Sequence, residues 1–519
     1  MTVSGKLWCL TALAVCLALV APFFAVDVPP VLDYPNHLAR LYVLAFGASD
    51  PVLRTMYAPH WQIVPNLAID LIGPPLMQVM PVSVVGRLLL ALSAIVPVGG
   101  VVLYHRAAFG RWSIWPLAGG LVAYNGAFLL GFMNFLYSVG LAFAVAAVWI
   151  QLSQRRLAAA VAVAALGNLA LFFCHLLGVL FFMLLIAAHE LAGIVAARAA
   201  GQPVGRRILV RAGALLLALA PVAALYRVSA MADATGPTVW DIPIRRVFHL
   251  LVPFATYDAT LTWVSAVVVV EAIVLIRRHL RFDAGSAVAF CALGIAYLFA
   301  PAQMKSGAVI DLRLPVMMGF LLFAGIEPVP SRKVGTVLAA ALGVLLVART
   351  ACVVSVWLDH RSDLAELRAT YASVEAGAKV MAVTATKTAS PDYRAHEPRG
   401  RELPFLFRTD EHLPALMLIE RHAFWPLLFA DPHQQPLAVL PPYDQLADPL
   451  GEPQDYHLLA DADPAQRYRG VPAYLSHLDA FDYVLLLNAG AAESSGPWAA
   501  RLDLVKRTDV AALYRVRHD

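Results

Sequence analysis

The segment Asp33-Tyr34-Pro35-Asn36-His37-Leu38-Ala39-Arg40 is where this chain gathers its most reactive side chains. Pro29-Pro30 stop the apolar run before it, and Pro35 suits the first turn of a new helix. On that helix Asp33, His37 and Arg40 stand at i, i+4 and i+7 on one face, with Leu38, Leu41, Tyr42 and Ala45 on the other. A carboxylate, an imidazole and a guanidinium placed together could serve as base, hydrogen-bond partner and phosphate clamp. A plainer reading fits the same residues: Asp33 as a helix N-cap, Arg40 in a solvated network, His37 on the surface. The weight given to chemistry comes from finding so much polarity in a short loop of an apolar chain.

A second cluster is Lys305-Ser306-Gly307 followed by Asp311-Leu312-Arg313. Lys305 and Arg313 offer fixed positive charge to a phosphate leaving group as negative charge develops on it. The alternative is an Asp311–Arg313 pair with side chains snorkelling to the interface. Arg245-Arg246 with His249 and Asp258 could fill the same role. Asn134 and His175 lie within apolar runs, where polar groups are costly and often functional. His175 could line a sugar pocket, and for Asn134 a helix–helix hydrogen bond is the simpler account. The run Glu420-Arg421-His422-Ala423-Phe424-Trp425-Pro426 could stack on a sugar ring, although packing of the tail against the rest explains its aromatics better.

The elements that must position these residues are membrane helices. Of 519 residues 60% are hydrophobic and 14% charged, and mean hydropathy is +0.69. That composition excludes a soluble enzyme and a disordered chain, and a net charge of +4 gives no footing for nucleic acid. Eleven apolar runs reach spanning length: 7–26, 83–104, 113–131, 133–150, 157–173, 176–195, 212–228, 261–276, 285–301, 314–328 and 335–357. The first could also be a signal peptide with Lys6 as its basic start. With Lys6 inside, the basic clusters at 105–111, 155–156, 198–211, 277–281 and 332–333 all fall on the cytoplasmic side. Loops 27–82, 229–260 and 302–313 then face outward, as does the tail. Segment 61–82, broken by Pro65, Pro74-Pro75 and Pro81, reads as an amphipathic or re-entrant piece of the outer face.

Charge divides the chain near Trp357. Residues 1–358 carry 23 basic and 12 acidic side chains, a net of +11; residues 359–519 carry 16 and 23, a net of −7. The expected fold is therefore an α-helical polytopic membrane bundle over 1–358 with a C-terminal extracytoplasmic α/β domain over 359–519. In that tail a helix over 360–376 precedes strands at AKVMAVTAT, FDYVLLL and VAALYRVR. Cys9, Cys16, Cys174, Cys291 and Cys352 all sit in apolar runs without a CxxC, so they read as small buried hydrophobes.

A first span followed by an outward loop in which Asp33 opens a helix, then many short spans, long outer loops and an extracytoplasmic tail, resembles the GT-C class of integral-membrane glycosyltransferases. The resemblance implies transfer of a sugar from a polyprenyl-phosphate donor to a glycan, lipid or protein acceptor on the extracytoplasmic face of a bacterial inner membrane. It makes Asp33 the catalytic acidic residue, activating the acceptor or helping to position a metal; the residues themselves add His37 beside it and offer Arg40, His175, Lys305 and Arg313 as substrate contacts. A divalent metal is compatible with the class, but Asp27 stands six positions before Asp33 and no DxD motif supports one. Two other classes stay open, a lipid or solute transporter and a non-catalytic envelope assembly protein; the absence of an inverted repeat argues against the first.

Overall fold

The computed structural model describes residues 4–305, 307–404, 406–493 and 495–518. Eight helices are long and apolar enough to cross a membrane, which makes this a multi-pass membrane protein. In chain order the helices used below are α1 (Gly5–Val20), α2 (Tyr34–Phe46), α3 (Ala68–Met77), α4 (Val82–Phe109), α5 (Met133–Leu152), α6 (Leu157–Cys174), α7 (Leu176–Ala199), α8 (Gly205–Arg227), α9 (Pro243–His249), α10 (Ala259–Ile276), α11 (Ala284–Phe299), α12 (Ile310–Gly325) and α13 (Arg332–Thr370). Their starts follow capping chemistry. Asp258 accepts from Leu261 N at 2.7 Å to open α10, and Asp283 accepts from Ser286 N at 2.7 Å to open α11.

Three expected spans take another form. Residues 284–299 and 310–325 are helices of 16 residues each, without the 3-10 extension that carries α1 on to Phe24. The run 113–131 is a 3-10 turn over Trp115–Val122 followed by the four-residue helix Gly126–Leu129, not one α-helix. It nevertheless runs the length of the bundle. Trp8 Nε1 near the start of α1 donates to Ser113 O at 2.9 Å, while Leu129 O and Leu130 O accept from Leu32 N and Asp33 N at the other end. Such irregular backbone survives at membrane depth only when protein surrounds it, and Trp115 through Leu130 is buried almost throughout. Arg349 of α13 helps to satisfy it: this buried guanidinium donates to the carbonyls of Tyr124 (3.1 Å), Phe254 (2.6 Å) and Ala255 (3.1 Å) and to Ser265 Oγ (2.9 Å).

The central pair α4 and α5 cross closely. A Cβ on Gly100 would come within 2.2 Å of Gly140 O, and one on Gly140 within 2.4 Å of Val96 O. Bare glycine faces let two backbones touch where no hydrophobic force drives helices together in lipid. Segment 61–82 contains α3, with Pro74 and Pro75 inside it and Asp70 fully buried.

The tail does not begin at a linker. α13 continues for 39 residues, from the membrane through the charge boundary near Trp357 to Thr370. Beyond it lies a five-stranded mixed sheet of β1 (Val380–Thr384), β2 (Gln454–Asp455), β3 (Tyr483–Leu487), β4 (Leu502–Arg507) and β5 (Ala511–Val516), ordered β2-β1-β3-β5-β4. The first three strands are parallel neighbours, and β5 is antiparallel to β3 and β4. VMAVT and YVLLL are buried at every position, as expected of strands covered on both faces. The strands expected at AKVMAVTAT, FDYVLLL and VAALYRVR are β1, β3 and β5.

First loop and tail are locked together. Tyr57–Pro59 pairs antiparallel with Leu437–Val439. Asn36 donates through Nδ2 to Leu427 O at 2.8 Å and accepts from Phe429 N at 3.0 Å. Phe424 and Trp425 are fully buried, Phe424 between Tyr57 and Tyr443, so the aromatics of that run pack the tail.

Candidate functional site

Asp33 occupies the N-cap position of α2, but its side chain makes no cap hydrogen bond. The carboxylate turns instead toward the tail, with Oδ1 3.2 Å from His412 Nδ1. Its backbone is held by Asp33 N donating to Leu130 O at 3.2 Å. Gly131 follows with φ +87, and a Cβ there would stand 2.9 Å from Asp33 Cβ. Only glycine lets the 113–131 crossing approach Asp33 so closely in that left-handed conformation.

One cavity of about 380 Å³ opens at this point, between the bundle and the tail. Four of the sequence candidates line it: Asp33, His37, His175 and Arg313. His37 is packed edge-on against Phe429 (5.3 Å), and His412 meets the other side of the same ring (5.1 Å). Burial, with Arg40 and His412 adding positive charge nearby, pushes the His37 imidazole well below its usual value, so it is neutral. His175 sits at the break between α6 and α7, in extended backbone, where Nδ1 accepts from Leu177 N at 3.1 Å. Its ring lies edge-on to Phe135 at 5.6 Å.

Arg313 enters from α12. Its guanidinium lies over Phe132 at 4.5 Å and near Phe135 at 5.8 Å, and its buried Nε has no hydrogen-bond partner. Among the described residues it forms no ion pair, with Asp311 or otherwise; Asp311 turns toward His249 instead. A half-buried cation held by no carboxylate is suited to receive an anion from a substrate.

The other two candidates stand elsewhere. Arg40 lies outside the cavity lining, bound bidentate to Asp70 at 2.7 and 3.0 Å with both side chains 1% exposed. The i+7 spacing keeps it on the same side of α2 but carries it about 10 Å along the axis from Asp33, to where Asp70 of α3 meets it. Lys305 donates to Ala232 O at 2.9 Å and so pins the loop that follows α8. Ser306, its neighbour in the sequence cluster, lies outside the described residues. Asn134 lines the cavity and also fastens the segment before α3, donating to Asn66 O (2.6 Å) and accepting from Ile69 N (3.1 Å). The bond from Ile69, in the first turn of α3, is a helix-to-helix bond of the kind expected; the one to Asn66 reaches the loop before it.

Sequence reasoning missed the tail's contribution. Glu411, His412, Phe429 and Glu452 all line the cavity. Burial, with Asp410 and Glu452 adding negative charge, pushes the Glu411 carboxyl up to about 7. Glu452 is held by Lys387 at 3.0 Å, and Asp410 by Arg408 and Asn488. The available signal was Asp410-Glu411-His412, a run of titratable residues directly after the charge-rich stretch 392–408. The cavity thus holds two carboxyls in different surroundings, one against an imidazole and one still about half protonated at neutral pH. Such a pair can divide the work of base and acid.

No family model matches the sequence, and no curated protein matches it. Among solved structures, the chain is similar in fold to ArnT from Cupriavidus metallidurans bound to undecaprenyl phosphate. The TM-score is 0.51 over 98% of each chain, at 12% sequence identity. The likeness covers the helical bundle and the tail alike.

Proposed function

We propose that this protein is a GT-C-type membrane glycosyltransferase that moves a sugar, hexosyl or pentosyl, from a polyprenyl-phosphate donor to an envelope acceptor. The observation that carries the proposal is Arg313, a half-buried guanidinium with no ion pair among the described residues, sharing a cavity of about 380 Å³ with the Asp33–His412 pair. A phosphate needs the first and an acceptor hydroxyl needs the second. Support also comes from the fold shared with a protein whose solved structure holds undecaprenyl phosphate.

In this reading Asp33 takes the proton of the acceptor hydroxyl, whose oxygen attacks the anomeric carbon as the bond to the phosphate oxygen breaks. Arg313 holds the departing phosphate and balances its growing charge. His412 orients Asp33, and neutral His37 and His175 line the sugar's space. Glu411 is the proton donor available to the leaving phosphate. In the same reading this face of the bundle lies outside a bacterial inner membrane, with the N-terminus cytoplasmic and the tail periplasmic; the basic loops support that orientation.

The test is release of free polyprenyl phosphate by purified protein given a panel of polyprenyl-phosphate sugars and an envelope acceptor fraction. Release by wild type, with Asp33→Asn silent and Arg313→Ala at least ~100-fold slower, is the expected result. Uptake of the lipid or solute into proteoliposomes without any covalent product would replace the transferase with a transporter.

A further inference from the structure

Beside the cavity just described lies a second of about 700 Å³, with Gln303, Ala308, Val309 and Phe407 lining both. Its wall carries three potential ligands on two separate elements: Asp241 and His249 at either end of α9 and Asp311 in the first turn of α12. One donor atom from each lies within 4.8 Å of the others. Asp311 is fully buried, yet its Oδ2 has no hydrogen-bond partner, and neither has the buried Nδ1 of His249, 3.3 Å away. The two face each other as an ion pair whose geometry is poor for a hydrogen bond, and a cation bound beside both would satisfy them better than they satisfy each other.

We propose that Asp241, His249 and Asp311 form a binding site for a divalent transition-metal ion, of the zinc class, that ties the loop after α8 to the start of α12. Two carboxylates and one imidazole suit such an ion, and three protein ligands leave a fourth position open. That position faces the second cavity, where water or a phosphate oxygen can take it. Around a tetrahedral ion with bonds of about 2.1 Å the ligand atoms lie roughly 3.4 Å apart, so the triangle closes with the widest separation shrinking by at most about 1.4 Å. Arg246 Nε stands 3.9 Å from Asp311, but this guanidinium is already engaged by the carbonyls of Leu298 (2.8 Å) and Ala300 and by the Tyr297 ring. Its charge weakens the ion's hold without filling the ion's place. Arg245 stands 3.7 Å from Asp241, but it is 70% exposed, and such a solvated pair yields readily to an ion.

The experiment needs no sugar donor and so stands or falls apart from the transferase reading. Chelator-treated wild-type protein in detergent is dialysed against about 10 µM free zinc and its metal content measured. About one zinc per chain is expected, reduced at least tenfold in His249→Gln and in Asp241→Asn. X-ray absorption of the loaded protein should show one nitrogen and two or three oxygens at about 2.0–2.2 Å. Asp241 is partly exposed and its substitution leaves the buried pair intact, so Asp241→Asn decides the matter even where His249→Gln fails to fold. Negligible zinc in folded wild type overturns the proposal, and so does equal zinc in wild type and Asp241→Asn, which would place the metal elsewhere.

Discussion

Glu411 offers a quantitative check on the cavity, because its carboxyl must be neutral to be at ease there. The carboxyl is pushed from an ordinary 4.5 up to about 7 by burial and by Asp410 and Glu452. Below pH ~4.5 it is protonated in the folded and unfolded chain alike, and the stability it contributes is fully present. Between 4.5 and 7 the unfolded chain gives up this proton while the folded chain keeps it. Stability is therefore lost as pH rises through 7. The rise from 4.5 to about 7, at about 1.36 kcal/mol per pH unit, sets the loss at about 3 kcal/mol, an upper bound because the carboxyl faces an open cavity.

Glu411→Gln keeps the shape and cannot ionise. Its melting temperature in detergent should match wild type at pH 4.5 and exceed it at pH 8.5 by several degrees, at roughly 2 °C or less per kcal/mol for a chain of this size. A gain of equal size at both pH values would show that packing, not charge, is responsible. No gain at pH 8.5 would mean that Glu411 ionises freely in water, and the division of the two carboxyls into acid and base would fall with it.

Three further outcomes follow from the geometry. Asp70→Ala leaves the Arg40 guanidinium buried and unpaired, which should cost about 3–5 kcal/mol, whereas Arg40→Leu combined with Asp70→Leu should cost far less; chemical denaturation of the three variants checks the non-additivity. Gly131→Ala forces a Cβ against Asp33 at positive φ, so transfer activity should fall at least ~10-fold with expression retained, measured by polyprenyl phosphate release. Arg349→Ala strands the carbonyls of Tyr124, Phe254 and Ala255 in a dry bundle, at about 1–3 kcal/mol each, and should appear as a large loss of thermal stability in detergent.

The sequence made the bundle readable because membrane burial writes itself into composition. Twenty apolar residues in a row have few structural alternatives, and eight of the eleven expected spans are helices of that kind. The crossing at 113–131 misled for a physical reason. Pro116, Gly119, Gly120, Gly126 and Gly131 are apolar enough to pass as a span but poor at holding an α-helix, and burial inside the bundle removes the penalty of irregular backbone. The expected break near Trp357 reflected charge density alone. Charge changes where α13 leaves the apolar region, but helical hydrogen bonding does not.

The site was half legible, and the division follows from how it is assembled. Asp33 and His37 are neighbours on one helix, so their spacing carried the signal, and Arg313 stood out as a cation near the start of an apolar run. Arg40 failed the same test because it stands nearly two full helical turns beyond Asp33, past the reach of the cavity, where Asp70 on α3 offered a buried partner. His412 and Glu411 lie nearly four hundred residues from Asp33 and meet it only because Asn36 and the 57–59 strand clamp the tail onto the first loop. No local pattern can encode such a contact. It also explains why this loop is rich in polar residues that do no chemistry: Asn36 and Asp50 spend their hydrogen-bonding capacity on the tail and on α2's neighbourhood, holding two halves of one cavity in register. A carboxylate whose partner arrives from another domain is available only when that domain is docked, so Asn36→Ala should lower activity together with Asp33's hold on His412, while the helices of the bundle remain as they are.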